Sequence, residues 1–295
     1  MQHTSATAAS RLTNSRPMLI AAMLIVDSLH LVFARLLLPY ISPGVSAMYV
    51  LAIATAEVGL LGLAQRRLHL SVLREHRWFL LSIGFLVAAS TNINYEAVAF
   101  IDPGTASLLS QASVLFALGL GLFWLRERLT LVQAGGALLA VAGVLIITVQ
   151  HGNYLRLGSM LVLSAAFMYA LHAALAKRYG DQIEFFDFFF LRLLCTTGFL
   201  FLFAAGRRTL VWPGATAWLP LVLVGTVDVV ISRALYYATL HRLKMSIHSV
   251  VLTLSPVATV LWSLLLFDTL PTPRQLLGGV GVLLGTLIVV TQRNA

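Results

Sequence analysis

The stretch Gln133-Ala-Gly-Gly-Ala-Leu-Leu-Ala-Val-Ala-Gly-Val-Leu-Ile-Ile-Thr-Val-Gln150 returns 142 residues later as Gln275-Leu-Leu-Gly-Gly-Val-Gly-Val-Leu-Leu-Gly-Thr-Leu-Ile-Val-Val-Thr-Gln292. Gln133, Gly136, Gly143, Leu145, Ile146 and Gln150 are repeated in place. Upstream the kinship continues at an offset of 141, pairing Tyr95 with Tyr236, Ala97 with Ala238, Leu125 with Leu266, Glu127 with Asp268 and Leu129 with Leu270. The change of offset is assigned to the turn around Pro271 and Pro273, which sets Pro271 opposite Thr130. A fixed-period repeat dictates architecture, so the chain reads as two copies of one design.

Each copy must live in lipid. Of 295 residues, 59% are hydrophobic and only 11% charged, against about 25% charged in soluble domains, and mean hydropathy is +0.90. At about 20 apolar residues per crossing, ten spans are expected: 18–38, 43–63, 78–98, 104–124, 130–149, 157–176, 185–205, 217–239, 246–267 and 275–291. Five per half is odd, so the halves lie upside down to one another. The expected fold is an all-α integral membrane protein with ten transmembrane helices as two inverted five-helix repeats. It divides into a tail at 1–16, a first repeat at 17–150 and a second at 155–292. The first span is read as retained, since it carries Asp27 and Arg35 where a signal core would be apolar and shows no small-residue cleavage site. The longest loop, near Gln65 to Arg77, is too short for a soluble core.

The net charge of +9 is a topology signal rather than one for nucleic acid. Thirteen Lys and Arg, Arg66, Arg67, Arg74, Arg77, Lys177 and Arg178 among them, flank span ends on the N-terminal side; Arg156, Arg207, Arg208 and Arg274 flank the other. Arg35, Arg192 and Arg233 fall within spans. The asymmetry puts both termini in the cytoplasm of a plasma (inner) membrane, with acidic lipid as a partner. The one cysteine, Cys195, excludes an internal disulfide and a cysteine-rich metal site; no cofactor or metal is expected.

The residues Glu127-Arg-Leu129-Thr130-Leu-Val-Gln133-Ala-Gly-Gly136 with Gly143-Val144, and their second copy at Asp268, Leu270, Gln275, Gly278 and Gly285, resemble the EamA-like branch of the drug/metabolite transporter superfamily. The resemblance covers nearly the whole chain and implies ten helices in two five-helix repeats. It departs at Asp268 and Pro271, which stand for Glu and Thr, and at Pro256, which faces Leu115 in the fourth span. Glu127 is read as structural at a solvated junction. Gly136, Gly143, Gly278, Gly281 and Gly285 read as faces for close helix packing, within a monomer or across a homodimer.

Within Ala88-Ala-Ser-Thr-Asn-Ile-Asn-Tyr-Glu-Ala97 six residues in seven are polar. Asn92 lies fourteen residues past Trp78, about 21 Å along the third span, and polar groups surround this end of the helix, which is expected to line an aqueous cavity. Repeat partners Arg233 and Tyr236 form a second polar cluster on the opposite side of the midplane. Ionised groups in membrane helices are costly and need partners or water. The candidate substrate contacts are therefore Asn92, Tyr95, Gln111, Tyr169, His172, Arg233, Tyr236, His248 and Trp262, with Asp27, His30 and Asp228 as candidate proton carriers. Asp228 and Arg233 are badly phased for a mutual pair, so Asp27 is assigned to Arg233; Arg192 with Asp187 is read as an anchor.

Three functions compete. A secondary transporter of a small polar or amphipathic metabolite (an amino acid, amine or drug-like compound) by alternating access, with protons as coupling ion and export as direction, fits an inverted repeat with no GxxxxGK[ST] loop. A lipid-carrier flippase subunit shares the fold family and would need a lateral opening. An intramembrane enzyme would need a nucleophile or metal cluster, and no HExxH or GxSxG is present.

Overall fold

A computed structural model describes residues 16–124, 130–148, 153–180, 183–242 and 245–293. Leu125 to Leu129, with Glu127, and Gln150 lie outside these residues. Among them the protein is helical, with no strand, and nine helices are long and apolar enough to cross a membrane. A tenth, Met245–Phe267, has the length, with its apolar part at Val251–Phe267. The spans are Arg16–Asp27 with His30–Leu37, Pro43–Ala64, Arg77–Ala97, Pro103–Ser110 with Ala112–Phe123, and Leu131–Thr148 in the first half. The second half has Asn153–Tyr179, Phe185–Gly206, Ala215–Val224 continuing through π-helical Gly225–Ile231 into Ser232–Arg242, Met245–Phe267 and Pro273–Arg293.

The ends of the spans follow local chemistry, and the chemistry repeats. Pro43, Pro103 and Pro273 each open a helix, where a missing N–H costs nothing, and the Asp102 side chain accepts from Thr105 N–H at 2.8 Å. The fifth span begins with a reciprocal capping box: Thr130 N–H donates to Gln133 Oε1 (3.0 Å) and Gln133 N–H to Thr130 Oγ1 (3.2 Å). The tenth begins the same way, Thr272 N–H to Gln275 Oε1 (2.6 Å) and Gln275 N–H to Thr272 Oγ1 (3.3 Å). Thr130 is therefore matched by Thr272, so the change of offset does fall in this turn, with Pro271 as the inserted residue rather than the counterpart of Thr130.

A second pair of repeats sits at the opposite helix ends. Arg66 (φ 53°) and Arg208 (φ 55°) are left-handed, and each closes its span with the same two backbone bonds. Arg67 N–H donates to Gly62 O and Arg66 N–H to Leu63 O; Thr209 N–H donates to Ala204 O and Arg208 N–H to Ala205 O. This is the Schellman arrangement with a non-glycine residue at its left-handed position.

Helix pairing shows the inversion directly. The fifth and tenth spans make the most extensive pair and run antiparallel: a Cβ on Gly136 would stand 2.9 Å from Gly285 O, and one on Gly278 2.7 Å from Gly143 O. The second and seventh spans meet at Thr55 and Thr197, whose hydroxyls are 2.9 Å apart. These two threonines are 142 apart in sequence, so the pseudo-two-fold axis passes between them. The third packs on the sixth and, equivalently, the eighth on the first, while fourth meets ninth. The glycine faces are thus consumed within one chain.

Candidate functional site

The halves enclose a cavity of about 270 Å³, lined from eight of the ten spans. Three of those spans lose regular helix there, and a fourth carries a proline within its helix. The first stops at Asp27 and restarts at His30; the fourth breaks at Gln111; the eighth turns π-helical across Asp228; the ninth holds Pro256 inside its helix. Irregular backbone at membrane depth is tolerated where it lines a protein or water-filled interior, and π-turns concentrate at functional sites. The groups freed at the first break are recovered. Thr259 Oγ1 donates to Ser28 O (2.8 Å), Trp262 Nε1 to Ser28 Oγ (3.1 Å), and Ser107 Oγ to Thr259 Oγ1 (3.2 Å).

Charges of both signs face this space: Asp27, His30, Arg192, Asp228 and Arg233, with Gln111, Tyr169, Asn94 and several serines. Asp228 is 6% exposed, and its Oδ2 lies 2.8 Å from His30 Nδ1. The partner thus comes from the first span, not from Arg233 five residues on. Asp27 lines the same cavity as Ser255 and Arg233. The guanidinium of Arg233 also lies over the Tyr236 ring at 5.7 Å.

Of the candidate contacts, Gln111, Tyr169 and Arg233 line the cavity, as do Asp27, His30 and Asp228. Tyr95 does not line it: it is fully buried behind His30, ring centroids 6.1 Å apart. His172 is buried with its ring 5.1 Å from Tyr169 and its Nδ1 3.2 Å from Tyr169 O. Tyr236 is half-buried off the lining, Trp262 closes the first-span break, and the side chain of His248 lies outside the described residues.

Asn92 sits elsewhere. It donates to Glu96 Oε1 at 3.1 Å, Glu96 pairs with Arg207 of the seventh span, and a Cβ on Gly44 would stand 2.8 Å from Asn92 Oδ1. The cavity instead receives Ser90, Thr91 and Asn94 from the third span. Helical phasing resolves two polar faces here, and the basic Arg207 beyond the seventh span draws one of them away. The expected Arg192–Asp187 anchor is likewise corrected. Asp187 is held by His69, from backbone N–H (2.9 Å) and Nδ1 (3.0 Å), and Arg192 lines the cavity with its guanidinium 5.5 Å from the Phe189 ring. Ser28, Ser110 and Ser113 were not singled out from sequence; serines beside Asp27 and Gln111 in apolar runs are the signal that marks them.

A family model described as "EamA-like transporter family" matches twice, at residues 15–149 and 156–291. Among curated proteins none matches this chain. Among solved structures 28 chains match; one, titled only "Crystal structure of protein", shares 22% identity at a TM-score of 0.64, with 95% of this chain and 98% of that chain covered. That likeness concerns the fold.

Proposed function

We propose, from the premise that this chain belongs to the EamA-like transporter family, that it is a secondary transporter of a small polar or amphipathic metabolite working by alternating access. The carrying observation is the cavity between the inverted halves, where Asp27, His30, Arg192, Asp228 and Arg233 meet among broken spans. Groups of this kind are expensive in a membrane and mark substrate and ion pathways, and inverted repeats seat such pathways where the halves join. Gln111, Tyr169 and Arg233 contact the substrate, and the His30–Asp228 pair carries the coupling proton. The family points to transport rather than catalysis. Transport is outward, across a plasma (inner) membrane, with both termini cytoplasmic as the Lys and Arg asymmetry supports.

The test begins with thermal-shift screening of purified protein against amino acids, amines and drug-like compounds, since a ligand raises stability by mass action. The ligand found is then followed in proteoliposomes. Wild type accumulates it against a pH gradient, while Asp228→Asn, nearly isosteric but without charge, binds and exchanges it but does not accumulate it. Absence of flux in wild-type vesicles would sink the transporter reading. Gradient-driven accumulation by a folded Asp228→Asn protein would sink the proton role.

A further inference from the structure

Away from the cavity, the loop after the second span meets the start of the seventh. The turn at Arg66 sends the chain back over its own helix, and Leu68 settles on Gly62, where a Cβ would stand 2.7 Å from both Leu68 Cγ and Phe186 Cε1. His69 is thereby laid on the first turn of the seventh span, bonded through its backbone N–H and Nδ1 to the two oxygens of Asp187. Asp187 is 3% exposed. Glu184, less than one turn earlier, is exposed, and its carboxylate has no hydrogen-bond or ion-pair partner among the described residues. One ligand atom from each of His69, Glu184 and Asp187 lies within 4.8 Å of the other two.

Two carboxylates brought this close disfavour each other's charge unless a cation stands between them, and Glu184 has no cationic partner among the described residues. One imidazole nitrogen with carboxylate oxygens is a donor set that suits Zn²⁺ or Mn²⁺. Asp187 and His69 are already held together, a cation would take the place of the proton shared by His69 Nδ1 and Asp187 Oδ2, and Glu184 stands exposed beside them. The site also belongs to one end of the molecule alone. At the repeat offset of 142 its counterparts are Ser42, Val45 and Val211, and two valines cannot ligate.

We propose that His69, Glu184 and Asp187 form a binding site for a divalent transition-metal cation, which ties the loop after the second span to the seventh span on one face of the membrane. The experiment uses the full-length protein in detergent, stripped with chelator and titrated with Zn²⁺ by calorimetry and with Co²⁺ by visible absorption. Wild type binds one equivalent and gains thermal stability with Zn²⁺. His69→Ala and Glu184→Gln each lose that equivalent and the gain, while His76→Ala, another loop histidine, keeps both. Glu184 is exposed and its carboxylate makes no bond among the described residues, so the metal-free thermal midpoint of Glu184→Gln should stay near wild type and show that the fold is intact, whatever His69→Ala loses with its bond to buried Asp187. No binding by wild type, or retention of the equivalent by either ligand variant, would overturn the site and leave His69–Asp187 as a hydrogen-bonded helix start only.

Discussion

Tyr95 is fully buried, yet its hydroxyl finds no hydrogen-bond partner among the described residues. An unsatisfied buried hydroxyl costs about 1–3 kcal/mol, so Tyr95→Phe should leave the ligand-free protein as stable as wild type or more so, read as the unfolding midpoint in detergent. A drop of about 1 kcal/mol or more would mean that the hydroxyl is served by a water held behind His30. The same scale shows where sequence reading stops. Asp27, His30, Asp228 and Arg233 were recognisable because ionisable groups are rare in apolar runs. The bond from His30 to Asp228 joins residues 198 apart, and no periodicity announces it. Asn92 and Asn94 differ in sequence only by phase; Asn94 meets the cavity, while Asn92 bonds Glu96, which pairs with the distant Arg207.

At the scale of elements, the crossing of the fifth and tenth spans rests on glycine. A Cβ on Gly143 would stand 2.6 Å from the backbone nitrogen of Val282, whereas one on Gly135, on the same helix, would meet nothing within 4 Å. Gly143→Val should therefore separate the pair at a cost of about 1–3 kcal/mol or more, and Gly135→Ala should be neutral or stabilising by roughly 0.5–1 kcal/mol. Thermal midpoints of the two variants check this, and equal losses would show that the glycines matter for chain flexibility instead. Helix starts were legible because Pro, Thr and Gln carry their capping chemistry locally. The breaks in the first, fourth and eighth spans were not. Largely apolar sequence is compatible with straight helix, and at the first break it is Thr259 and Trp262, with Ser107 bonded to Thr259, that satisfy Ser28 from other spans.

For the whole molecule, the repeat visible at Gln133 and Gln275 was enough to predict the inversion, because an odd number of crossings leaves no other way to superpose the halves. Orientation in the membrane is a separate question that charge decides, and it is testable in a Cys195→Ser background. Of single cysteines placed at Arg67 and Arg208, on opposite faces at equivalent helix ends, only the one at 208 should react with an impermeant reagent on whole cells; labelling at 67 instead would reverse the assignment. The glycine crossing then has a mechanical meaning. Gly136 against Gly285 and Gly143 against Gly278 bring two backbones into close contact, with Ala140, Ile147, Val282 and Ile288 packed tightly around them. Such a contact leaves little play, and in the alternating-access cycle proposed above it is the expected fulcrum: one half tilting on the other would move least there, with displacement growing by lever arm toward the spans that surround the cavity.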